Sequence, residues 1–303
     1  MDKTAPQSFA VPSASEAQIK DYIELLKPRV MSLVVFSGLV GLMVAPGSIH
    51  PLLGCVAVLC IAIAAGGSAA VNMWYDRDID ALMTRTRRRP LPQGRIEPSA
   101  ALEFGTTLIF AAVVLMALAV NWLAAALLAV AAGFYIFVYT IWLKRRTPLN
   151  IVVGGAAGAF PPLIGWVAVT GQINLPAILL FLIIFVWTPP HFWALALYRN
   201  DDYQRAGVPM LPVTAGPRRT KIEMLLYTLV LVPLSLTPAF TGIAGPLYLA
   251  GVSVLGAGFV LCALRVLLDD SHRSARQMFA YSILYLTLLF SLLLAEAAMR
   301  AWP

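Results

Sequence analysis

Cys55-Val-Ala-Val-Leu-Cys-Ile-Ala-Ile-Ala-Ala-Gly-Gly-Ser-Ala-Ala-Val-Asn72-Met-Trp-Tyr-Asp76-Arg-Asp-Ile-Asp80 joins a long uncharged apolar run to a dense cluster of acids. From Pro51 the run lasts long enough to cross the hydrocarbon core of a bilayer, which takes about 20 apolar residues in a helix. Asn72, Asp76 and Asp80 follow at steps of four. Each step turns about 400° and rises about 6 Å along a helix, so the three side chains form a ladder on one face, and Asp78 points elsewhere. Carboxylates at a membrane boundary cost roughly 2.5–3.5 kcal/mol each on insertion scales, and stacking two adds repulsion. A divalent cation between them resolves that cost. Oxygen ligands suit Mg²⁺, which typically bridges one or two carboxylates to substrate phosphates.

The rest of the chain agrees with a membrane setting. Of 303 residues, 60% are hydrophobic and 12% charged, too few charges to clothe a water-soluble surface of this size. Nine apolar runs are candidate spans: Val30–Ala45, Pro51–Tyr75, Ala100–Val120, Trp122–Leu143, Pro148–Thr170, Leu175–Tyr198, Ile222–Thr241, Pro246–Leu268 and Gln277–Met299. Helices are the default for such runs because lipid leaves no backbone group a partner, and the alternation of a membrane β-barrel is absent. The fold class expected is an all-α, polytopic membrane bundle of nine helices.

Breaks between spans alternate strictly. Pro46–His50, the turn at Asn121, Gly171–Asn174 and Gly242–Gly245 are uncharged, whereas Arg85–Arg95, Lys144–Arg146, Arg199–Lys221 and Arg265–Arg276 are basic. With the N-terminus inside, every lysine and arginine except Arg300 is inside too, so the expected topology has a cytoplasmic N-terminus and a periplasmic C-terminus. The net charge of +7 therefore reads as topology rather than nucleic-acid binding. Residues 1–26 carry four acids and no arginine, unlike a mitochondrial transit peptide. They are expected to form a cytoplasmic tail with a short amphipathic piece at Ile19–Leu26, followed by one membrane domain over 27–303 in a bacterial inner membrane. Cys55, Cys60 and Cys262 lie in apolar runs in no ligand pattern and read as packing residues.

Two inner loops start from acidic residues and carry arginines. Trp74-Tyr-Asp76-Arg-Asp78 has a partial echo in Tyr198-Arg-Asn-Asp201-Asp202, a hint of two related halves four helices apart. Asp201 and Asp202 offer a second carboxylate cluster for the metal. The basic half of such a site can come from Arg85, Arg87, Arg88 and Arg89, from Lys144, Arg145 and Arg146, and from Arg205, Arg218, Arg219 and Lys221, since guanidinium groups grip phosphate oxygens bidentately. A basic run beside a membrane is ordinarily only a topology signal, and a lone acid at a helix end is ordinarily solvated. Three polar groups in register beside a second acidic cluster need more than that. His191 lies in Trp187-Thr-Pro-Pro-His-Phe-Trp193 within the sixth span. An intramembrane histidine flanked by aromatics is a functional candidate, set against a histidine that only locks a kink at Pro189-Pro190. The small residues Gly154, Gly155 and Gly158 read as close helix packing, with Pro161-Pro162 as a second kink.

The ladder resembles the first aspartate motif of the UbiA-type intramembrane prenyltransferases. A finer resemblance, to the haem-farnesylating branch of that superfamily, rests on several blocks. They are Asn72–Thr86, Arg89-Pro-Leu-Pro-Gln-Gly94, Lys144–Ile151, Pro189-Pro-His-Phe-Trp-Ala194, Asp201-Asp-Tyr203 and Ala206–Pro212. The chain departs from the wider superfamily at Met73, where many members carry an aspartate, and at Tyr198 and Asn200, where carboxylates often stand. The resemblance implies a UbiA-like bundle that transfers the farnesyl group of farnesyl diphosphate to a vinyl group of haem B, giving haem O. It implies Mg²⁺ on Asp76, Asp80 and Asn72, helped by Asp201 and Asp202, with Arg85, Arg88, Lys144 and Arg205 as the diphosphate contacts and His191 against the haem. Haem A synthase or oxidase assembly factors would be partners. The alternatives are a UbiA-type enzyme acting on an aromatic or quinone-precursor acceptor, and a non-catalytic haem or lipid carrier. The Pro-Pro-His-Phe-Trp block argues against the first and the stacked carboxylates against the second.

Overall fold

The apolar runs become helices whose starts are marked in the sequence. Proline occupies the first or second position of six of them, where its missing N–H costs nothing. Asn121 caps another by accepting from the Ala124 amide at 2.8 Å. The computed structural model describes residues 17–301; most of the expected cytoplasmic tail lies outside them. Among the described residues there are helices and no strands. A short helix α1 (Ile19–Leu25) precedes α2 (Pro28–Val44) and α3 (Pro51–Tyr75), and the six-residue α4 (Arg77–Leu82) follows. Then come α5 (Pro98–Ala119), α6 (Trp122–Gly133) with a π-helical continuation Phe134–Leu143, α7 (Asn150–Thr170) and α8 (Leu175–Tyr198). The chain ends with the short α9 (Asn200–Arg205), α10 (Leu211–Leu236), α11 (Pro246–Leu268) and α12 (His272–Ala301).

Among the described residues, eight helices are long and apolar enough to cross a membrane, and α1 with α2, bent by 54°, makes a ninth when the pair is counted as one span. The bend sits at Lys27, whose φ of 51° is left-handed and unusual for a residue with a side chain. The seventh span differs from expectation. It begins at Leu211 rather than Ile222 and is interrupted at Gly216 (φ 81°, ψ 163°), a conformation that glycine permits. Neither proline pair breaks its helix: α7 runs through Pro161-Pro162 and α8 through Pro189-Pro190.

Sequence neighbours pack together around a ring that closes where α12 meets α2, with α2 against α7 and α8 against α12 as contacts across it. Large apolar side chains such as Phe110, Leu118, Val254 and Leu268 face outward, as lipid-facing surfaces require. Gly154 and Gly155 pack closely as expected, a methyl there striking the Tyr139 ring and the Thr188 side chain, and close approaches to backbone fall at other glycines. A methyl on Gly41 would strike the backbone of Pro162, and one on Gly165 the backbone of Gly38, whereas Gly158 faces open space.

Candidate functional site

Helix α3 ends at Asp76, in a non-helical conformation (φ −89°, ψ 6°), and α4 resumes one residue later. The expected straight ladder is thus a ladder with a hinge. Its spacing survives because the i to i−4 hydrogen bonds persist on both sides, Asp76 N to Asn72 O at 3.0 Å and Asp80 N to Asp76 O at 2.8 Å. The last carbonyls of α3 are satisfied by cations: Arg77 donates to Trp74 O at 2.7 Å and Arg145 to Tyr75 O at 2.9 Å.

Asp76 is fully buried. Its Oδ2 accepts from Asn72 Nδ2 at 2.7 Å and from the Lys144 ammonium. Its Oδ1 has no hydrogen-bond partner, although the Arg145 guanidinium stands 3.6 Å away. Asn72 also donates to Thr140 Oγ1 at 3.1 Å and accepts from Lys27 Nζ at 2.8 Å. Asp80 is buried and turned toward Arg89, whose Nη1 lies 2.6 Å from Oδ2. Asp78 is exposed and held by Arg145 through two 2.7 Å bonds. That guanidinium, joined by the Ile79 amide, keeps its carboxyl below the usual range.

The second acidic cluster is arranged differently. Asp201 is exposed. Asp202 is buried, with Oδ1 accepting from Thr84 Oγ1 at 2.9 Å and from Arg205, and with Oδ2 unpartnered. Burial raises the Asp202 carboxyl, but the Thr84 and Arg205 bonds outweigh it and leave the group below its ordinary value. Thr84 belongs to the loop after α4, so this hydrogen bond ties the two acidic motifs together across 118 residues of sequence. Among the described residues, no three His, Cys, Asp or Glu side chains converge closely enough to enclose a cation. The ladder brings two acids and an amide, which leaves the remainder of any coordination shell to a ligand.

The candidate basic residues separate. Lys144 reaches Asp76 and Arg205 reaches Asp202. Arg85 and Arg88 are exposed, and Arg85 lies within electrostatic reach of both Tyr139 and Tyr198. Arg89 and Arg145, expected only as members of the basic loops, meet the ladder directly, as do Lys27 and Thr140, which were not among the candidate site residues. Lys27 gives no local signal, because its approach depends on the bend before α2. Thr140 is on the π-helical segment, a distortion common at functional sites. His191 is buried, its ring between Trp187 (4.2 Å, 17°) and Phe279 (4.6 Å, 22°).

The model of the UbiA prenyltransferase family matches residues 34–294. The chain belongs to that family. A protoheme IX farnesyltransferase of Parvibaculum lavamentivorans is 56% identical over 291 residues, covering 95% of this chain and 92% of that protein. One from Rhodopseudomonas palustris is 55% identical over 297 residues, covering 97% and 95%. Solved structures agree on the UbiA fold. Digeranylgeranylglyceryl phosphate synthase superposes with a TM-score of 0.77 at 20% identity, covering 93% of this chain and 99% of that one. A UbiA homologue from Archaeoglobus fulgidus bound to DMAPP and Mg²⁺ gives 0.64 at 17% identity, covering 90% and 99%.

Proposed function

We propose that this UbiA-family chain transfers the farnesyl group of farnesyl diphosphate to a vinyl group of haem B, with addition of water, releasing haem O and diphosphate. The observation that carries the donor half is Asp76, a buried carboxylate with one oxygen crowded by Lys144 and Asn72 and the other unpartnered. The relatives named protoheme IX farnesyltransferase support the acceptor.

Asp76, Asp80 and Asn72 would hold Mg²⁺, with Asp202 contributing from the second motif and the exposed Asp201 standing outside the shell. The unpartnered oxygens on Asp76 and Asp202 fit that assignment. When bound, the cation neutralises charge on the departing diphosphate. The protein's own cations are already in place. Lys144 and Arg89 sit on the two ladder acids and Lys27 on Asn72, so an arriving diphosphate can draw them from carboxylate to phosphate oxygens. Arg85, Arg88 and Arg205 complete the basic surround. The C1–O bond of the donor breaks with its electron pair leaving on diphosphate. The vinyl π electrons form the new bond to C1, water takes the resulting cationic carbon, and a proton is lost. The apolar bundle excludes competing water from the farnesyl chain.

His191 would face the haem, and the N-terminus would be cytoplasmic with the C-terminus periplasmic, in a bacterial inner membrane. Haem A synthase or an oxidase assembly factor would take the product. The test is to incubate purified protein with ferrous haem B, farnesyl diphosphate and Mg²⁺ and to seek haem O by mass. Product that disappears with a chelator and returns with Mg²⁺ supports the reading; no product from wild type sinks it.

A further inference from the structure

Resting on haem as the acceptor, we infer that the seam between α8 and α12 is the porphyrin site, with Arg276 and Arg199 taking the propionates and His191 Nε2 facing the iron. Three observations meet there.

The first fixes the imidazole. His191 Nδ1 lies 2.6 Å from Ser282 Oγ, and Ser282 Oγ donates to Phe279 O at 2.6 Å. With the hydroxyl proton on that carbonyl, the contact between Nδ1 and Ser282 is made by an Nδ1–H. In that tautomer the lone pair is on Nε2, which has no hydrogen-bond partner among the described residues. Trp187 Nε1 donates to Ser282 O at 2.8 Å, so the same serine also anchors the ring's stacking partner. This is how metal-facing histidines are held elsewhere: the second ring nitrogen is tied down, setting tautomer and orientation.

The second is a track of aromatic rings running toward the inner surface. Phe279 stacks on His191, and Tyr198 meets Phe279 edge-on at 6.1 Å. Residues 191 and 198 are two turns apart, roughly 10 Å along α8, the scale on which a porphyrin separates its central metal from its peripheral carboxylates.

The third is charge at the end of that track. Arg276 and Arg199 lie 5.5 Å and 5.8 Å from the Tyr198 ring. Among the described residues neither makes an ion pair. Two unpaired guanidinium groups at the polar end of a flat aromatic strip, with a lone-pair nitrogen at the apolar end, match a flat dianionic metal chelate. A lipid headgroup would use the arginines alone. The Thr84–Asp202 bond, which joins the loop after α4 to the short helix that follows Arg199, puts this site next to the donor site.

The experiment compares haem B with its dimethyl ester at saturating farnesyl diphosphate and Mg²⁺, in wild type and in Arg199→Ala/Arg276→Ala. Esterification should raise the wild-type KM for haem roughly tenfold or more, the scale of losing a charge-assisted pair. The double variant should show that rise for haem B itself and no further rise for the ester, with kcat and the KM for farnesyl diphosphate kept. A wild type that accepts the ester as readily as haem overturns the site, and so does a double variant that still discriminates. No product from wild type with either porphyrin would overturn the haem reading instead. Ser282→Ala should change the absorbance of bound ferrous haem by loosening the axial nitrogen; an unchanged spectrum removes the iron contact.

Discussion

The C-terminal ends of α3 and α8 are built alike and charged oppositely. Each long helix stops at one residue out of helical conformation, Asp76 (φ −89°, ψ 6°) or Arg199 (φ −116°, ψ 18°), and each is followed by a six-residue helix. Both keep the hydrogen bond back across the stop, 3.0 Å to Asn72 O and 3.1 Å to Leu195 O. The hinge residue is a buried carboxylate in the first half and an exposed guanidinium in the second. Around Asp76 the chain gathers Lys144, Arg145 and, through Asn72, Lys27. Around Arg199 it gathers Tyr198 and a second cation, Arg276. One backbone device thus gives an end that attracts cations and an end that attracts anions, which is what a donor site built on a metal and an acceptor with two carboxylates need.

The strongest way to break this comparison is to remove charge at the first hinge. Asp76→Asn keeps the shape and the hydrogen bond with Asn72. It should lower kcat by about 10²–10³-fold or more, the scale of losing one preorganised electrostatic contact to the transition state. Asp80→Asn should act in the same direction. Membrane insertion, checked by extraction and size-exclusion behaviour, should be retained. Near-normal turnover in either would show that the ladder is not the metal site.

A smaller effect is expected from reversing the second hinge. Arg199→Asp gives both hinges the same sign and should raise the KM for haem about tenfold while leaving that for farnesyl diphosphate nearly unchanged. An equal rise for both substrates would mean that the two ends share one anion site.

Much of the fold was legible because lipid leaves few choices. Uncharged runs bounded by Pro51, Asn121, Pro246 and similar markers became helices near their expected limits. The early start of α10 was hidden because Pro217, Arg218 and Arg219 look like loop, and a glycine break let a helix include them. In the site, Asn72 beside Asp76 followed from spacing alone, since i and i+4 are neighbours on any helix. The partners were not legible. Lys27 reaches Asn72 across 45 residues and Thr84 reaches Asp202 across 118, distances set by tertiary packing and by a left-handed residue that no local pattern announces.

Asp202→Asn tests whether the second half shares the metal. As a partner only for Thr84 and the exposed Arg205, the carboxylate is worth little, and turnover should fall by no more than about fivefold. As a ligand through its unpartnered Oδ2, it should cost as much as Asp76→Asn. A metal titration of activity separates the two outcomes, because only a ligand shifts the Mg²⁺ requirement.

The smallest effect is expected one residue earlier. Asp201 corresponds to Asp78 when the hinges are superposed, two residues past the stop, and both are exposed. They differ in their company: Asp78 is gripped by Arg145, and Asp201 has no cationic partner among the described residues. Recruiting an exposed, unpaired carboxylate to a cation requires α9 to turn about its axis, and α9 is fixed by the Thr84–Asp202 bond and by Tyr203, which shares a buried apolar cluster with Ile79 and Met83. Asp201→Asn should therefore leave kcat and both KM values within about twofold, as surface substitutions usually do. A loss comparable to Asp202→Asn would mean that α9 rotates when diphosphate binds, making the second hinge a moving part and the first a fixed one.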